Sequence, residues 1–158
     1  MNAFISYSTG ANEQYILNLL AQKMAEKGIS LVTSYNESNW VDTQTPNDIK
    51  NSALFIGLIT NAGPLGRTGR VFSEFKLAHM FSKPAIFLIE DTVSVAPWVS
   101  MYENTIRFNR HYPEQAISQV HNKIATSQNT QTGSDAAAWI LGGLGVLALL
   151  SWLSNQQK

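Results

Sequence analysis

The sequence predicts an α/β fold, a doubly wound sheet of about five parallel strands with helices on both faces. Three observations carry this. Short strand-forming runs alternate with helical stripes along residues 1–125, two of those runs are almost wholly apolar, and a strand–helix–glycine–strand unit opens the chain. Parallel strands covered on both faces read as continuous apolar runs, and a crossover helix is what makes neighbouring strands parallel.

Residues 3–7, AFISY, are a short apolar run rich in strand formers, and turn chemistry follows at 8–12. Apolar residues then recur at Tyr15, Ile16, Leu19, Leu20 and Met24, one face of a helix, and Gly28 reads as its stop. Residues 29–33 form a second strand, which completes a βαβ unit. Residues 34–45, SYNESNWVDTQT, make a polar loop carrying Tyr35 and Trp40, and 46–52 a short helix. The run 53–60, ALFIGLIT, is the expected central strand. A Gly-rich loop at 61–69 leads to a helix from about Arg70 to Ser82. Residues 84–89 are another buried strand, 91–104 read as irregular, and 105–108 as a short edge strand. Pro113 suits the first position of a last helix, whose apolar face is Ala116, Ile117, Val120 and Ile124. The whole is a flavodoxin-like pattern, with a ligand crevice expected at the C-terminal ends of the strands.

Beyond residue 125 the composition changes. Residues 126–135 are a polar linker, 136–153 an uncharged apolar block, AAAWILGGLGVLALLSWL, and 154–158 a short polar tail. At 1.5 Å per residue the block spans roughly 27 Å, near the short limit for a bilayer. Trp139 and Trp152 near its ends resemble interfacial anchors. It is expected to be a transmembrane helix, the alternative being a helix packed in an assembly. Ser134, Ala138 and Gly142 repeat at four-residue spacing, which favours self-association.

Eleven basic residues balance eleven acidic ones with no long run of either sign, which argues against nucleic acid as the partner. With no cysteine, disulfides, thiolate catalysis and Cys-based zinc sites are excluded. His79, His111 and His121 show no metal-ligand spacing. The opening MNAFISYS lacks a basic segment followed by a long apolar stretch and does not read as a signal peptide.

The segment Phe4-Ile5-Ser6-Tyr7-Ser8, a helix and second strand over 20–32, and Ile49-Lys50-Asn51-Ser52 feeding the strand at 54–60 come in a characteristic order. Glu74-Phe75-Lys76-Leu77-Ala78 follows, then Lys83-Pro84 and the strand at 85–89. In this order and spacing, residues 3–125 resemble a bacterial TIR (Toll/interleukin-receptor) domain. The departures are Arg70 where many members carry a Trp one turn before the Glu, a longer Gly-rich loop between Thr60 and Glu74, and Trp40 in the variable loop.

The resemblance implies cleavage of NAD at the nicotinamide–ribose bond, by hydrolysis or with formation of a cyclic nucleotide signal, with NAD as substrate, no separate cofactor, and Glu74 as the catalytic residue. It further implies a cytoplasmic domain anchored at the bacterial inner membrane, self-association through that domain and the helix, and a role in antiviral defence. The alternative is a non-catalytic module that senses a nucleotide or partner while its transmembrane helix oligomerises and perturbs the membrane. Helix geometry bears on Glu74 independently. At 100° per residue Val71, Phe75 and Ala78 define the buried face, and Glu74 falls on its flank, partly desolvated.

The remaining candidates are substrate-binding: Ser6, Tyr7, Ser8, Tyr35, Trp40, Arg67 and Arg70. Ser6, Tyr7 and Ser8 end the first strand, where they either bond a ribose or phosphate or cap the next helix. Arg67 and Arg70, with backbone N–H groups of the Gly-rich loop, either hold a phosphate or are solvated side chains on a flexible loop. The loop lacks the Gly-Lys-Ser/Thr of a Walker sequence.

Overall fold

The computed structural model describes residues 1–7, 13–33, 41, 43–61 and 68–129. Ser8, Tyr35, Trp40 and Arg67 lie outside the described residues, as do most of the linker and the whole 136–153 block. Among the described residues no helix is long and apolar enough to cross a membrane.

The elements follow in the order β1 Asn2–Tyr7, α1 Glu13–Ala25, β2 Ser30–Thr33, α2 Thr45–Asn51, β3 Leu54–Ile59 and α3 Thr68–Met80. β4 Ala85–Glu90, α4 Pro97–Met101, β5 Thr105–Phe108 and α5 Glu114–Asn129 complete the series. The strands form one sheet in the order β2-β1-β3-β4-β5, and every neighbouring pair is parallel. This is the expected doubly wound arrangement, and its direction of winding reverses between β1 and β3.

Alternation along the strands sends side chains to two cores. Ala3, Ile5, Ile56, Leu58, Ile86 and Leu88 face α1 and α5. Phe4, Phe55, Ile59, Phe87 and Ile89 face the other side, where Val71, Phe75 and Ala78 of α3 meet them. Both β3 and β4 are buried along their whole length, which is why their sequences carry no polar alternation.

α1 ends as its glycine predicts. Gly28 takes φ +71°, with Ile29 N–H donating to Met24 O and Gly28 N–H to Ala25 O, a Schellman stop. α3 uses the same stop with Ser82 at φ 53°, where Lys83 N–H donates to Ala78 O and Ser82 N–H to His79 O.

Three boundaries differ from the sequence reading. α3 begins at Thr68, in the segment read as loop. The span 91–104 contains α4, opened by Pro97. Trp98 of α4 packs on Phe72 and Phe75, and Val99 is fully buried. α5 runs to Asn129, so the first four residues of the polar tract are helical.

Candidate functional site

β1 and β3 end side by side at the reversal point, with Ser6 in register with Gly57. Ser6 shares the parity of Phe4, so its side chain lies on the α3 face of the sheet. Its hydroxyl is buried and has no hydrogen-bond partner among the described residues. Beside it, Gly57 presents no side chain. A Cβ there would come within 2.7 Å of the Phe87 ring and 3.1 Å of Val71 Cγ1. The missing methyl therefore lets α3 sit close against the sheet at the level of Ser6.

α3 then carries two charged residues into the interior. Arg70 is 6% exposed and Glu74 is 0% exposed. Arg70 Nε donates to Glu74 Oε1 at 2.9 Å. The sequence reading put Glu74 on the flank of the buried face and allowed Arg70 to be solvated. The structure buries both, because an i,i+4 pair on the flank folds inward once each charge has a partner.

Helix stability does not account for this pair. Cations are disfavoured near a helix N-terminus, and Arg70 is the third residue of α3. An acid preceding a base is the better i,i+4 order, and here the base comes first. Both partners of this bond belong to one helix. Withdrawing two charges from water is expensive, and such a pair is weak evidence for stability.

A second buried carboxylate, which the sequence reading missed, lies at the C-terminal end of β4. Glu90 is 5% exposed. Arg110 grips it with two hydrogen bonds, Nε to Oε1 at 2.8 Å and Nη2 to Oε2 at 2.7 Å. Asn61 N–H, just beyond β3, donates to Oε2 at 2.8 Å. The Arg110 bonds, helped by Asn61, hold the Glu90 carboxyl below the usual glutamate range although burial opposes them. Glu90 shares the parity of Ile86 and Leu88, so it lies on the α5 face, opposite Glu74. The only sequence sign was a charge ending the apolar run AIFLIE.

Of the predicted site residues within the described segments, Ser6 lies on the α3 face of the sheet toward the C-terminal end of β1, and Arg70 and Glu74 lie on α3, which packs on that face. Tyr7 has the other parity and packs against the α1 and α5 core. Met80 is exposed at the end of α3, whereas Leu77 and Phe81 are part of the packing beneath α3. Among the described residues no group of His, Asp and Glu is arranged to hold a metal ion.

No protein-family model matches the chain. No curated protein matches its sequence. Among solved structures the chain is similar to the CMP N-glycosidase BcmB of Clostridium botulinum, at 16% identity and a TM-score of 0.53, over 77% of this chain and 99% of that one. At that identity the likeness establishes a shared fold.

Proposed function

We propose that the chain is a TIR-like nucleotide N-glycosidase that cleaves NAD between nicotinamide and ribose, with Glu74 as the catalytic carboxylate. The observation that carries this reading is the complete burial of Glu74 on α3, the helix that packs on the sheet face carrying Ser6 at the reversal point. Doubly wound sheets bind ligands at that point. The existence of a nucleotide N-glycosidase on a similar fold lends it support.

In the reaction the C–N glycosidic bond breaks and its electron pair leaves with nicotinamide. Water adds to the ribose carbon and loses a proton to solvent. Positive charge develops on the ribose, and a fixed carboxylate beside it stabilises that charge more than it does the ground state. Ser6 Oγ is available to a ribose hydroxyl. The complete burial of Glu74 favours a second reading, a nucleotide-binding module without turnover.

One experiment separates the two readings. Full-length protein, artificially clustered, is incubated with NAD or CMP, and released base is measured for wild type and Glu74→Gln. Glu74→Gln is expected to lower nicotinamide release by on the order of 10²–10³. Equal rates would remove Glu74 from catalysis. Binding of NAD without release would establish the module.

The 136–153 block is proposed as the membrane anchor. Leu147→Arg, near its centre, should cost about 2.5–3.5 kcal/mol of insertion and shift the protein toward the soluble fraction of a detergent-free lysate. Wild type that is already soluble there would refute the anchor.

A further inference from the structure

We propose that Arg70 is a two-position switch that makes the site selective for phosphorylated substrates. In the structure its guanidinium occupies Glu74. When a nucleotide enters, the phosphate competes for the same guanidinium, and Arg70 moves to it and releases the Glu74 Oε1 that it holds. A nucleoside without phosphate brings no competing anion and leaves Arg70 on Glu74. This rests on the reading of Glu74 as the catalytic carboxylate.

Four observations support it. Glu74 is 0% exposed, so no substrate reaches it unless a neighbour moves. Its neighbour Arg70 lies in the first turn of α3, at the C-terminal edge of the sheet. Side chains on a helix tilt toward its N-terminus, so Arg70 released from Glu74 leans out toward the crevice. The destination suits an anion, since the first backbone N–H groups of a helix and its dipole favour phosphate. The buried Ser6 hydroxyl, with no hydrogen-bond partner among the described residues, is a second polar group on the same face awaiting a ligand. A guanidinium binds phosphate and carboxylate with the same fork of donors, so the exchange swaps one charge-assisted contact for another.

The test uses substrates that share the nicotinamide–ribose bond and differ in phosphate. These are nicotinamide riboside, nicotinamide mononucleotide and NAD. With clustered full-length wild type, kcat/KM for the mononucleotide should exceed that for the riboside by about 10- to 100-fold, the worth of a charge-assisted contact. In Arg70→Gln the two should converge, with the riboside cleaved faster than by wild type. A structural role for Arg70 would lower all three substrates together and keep the ratio, and that result overturns the switch. Should Arg70→Gln fail to fold, wild type carries the test. Added pyrophosphate should accelerate riboside cleavage by drawing Arg70 away, and its failure to do so overturns the switch. Activity that depends on Glu74 with an unchanged ratio would remove the switch and leave the glycosidase reading intact. Release from none of the three substrates would remove both.

Discussion

The two buried glutamates lie on opposite faces of the sheet, and each meets an arginine. Their surroundings differ in kind. Glu90 closes a long-range junction, since Arg110 comes from the turn before α5 and Asn61 from the end of β3. Glu74 meets an arginine four residues back on its own helix. The first pair holds three segments in place and returns its desolvation cost through charge-assisted bonds across the fold. The second ties a helix to itself, in the less favourable order, at full burial. A buried ion pair within one helix is weak evidence for a stabilising role, and its carboxylate is a candidate for chemistry.

The largest difference between the two glutamates is expected in activity. Glu74→Gln should lose on the order of 10²–10³ in rate, whereas Glu90→Gln should stay within about tenfold, because on the proposed reading only Glu74 faces developing charge. Comparable losses in both would mean that the two carboxylates act together, and the contrast would fall.

Stability should rank them the other way. Arg110→Ala leaves Glu90 buried beside one backbone donor and should cost about 2–3 kcal/mol in a urea melt. Its pH dependence has a definite sign. Glu90 is held below the ordinary glutamate value near 4.5. Its contribution is therefore complete above that value and is lost as pH falls through the lower folded one. The gap between wild type and Arg110→Ala should narrow on acidification below about 4.5. A gap constant down to acid pH would show that Glu90 titrates normally.

The smallest effect is expected where both members of the local pair are replaced by apolar residues of similar size. Arg70→Met with Glu74→Leu should leave the melt unchanged or raise it by about 1–2 kcal/mol, since two charges no longer need burial. A loss as large as that of Arg110→Ala would make the pair a structural one.

Much of this was legible in the residues. The apolar runs ALFIGLIT and AIFLIE could only be covered strands, and Gly28 could only be a stop. Val71, Phe75 and Ala78 marked the face of α3 that the structure buries. α4 was not legible. Five residues are too few for a period, and what folds them is Trp98 meeting Phe72 and Phe75, which is a matter of tertiary packing. Glu90 and Arg110 are 20 residues apart in sequence, and no local pattern joins them. The Arg70–Glu74 spacing was readable as an i,i+4 pair. Its depth was not, because that depends on Gly57 admitting α3 to the sheet.

α5 runs antiparallel to the strands. Just before its start Arg110 clamps the C-terminal end of β4, and toward its end Lys123 reaches Asn104 below the start of β5. Sixteen residues of helix carry the chain roughly 24 Å, from the crevice edge of the sheet to the opposite edge. The described residues therefore end at the edge of the sheet remote from the crevice, with the whole length of α5 between Asn129 and the strand ends that line it.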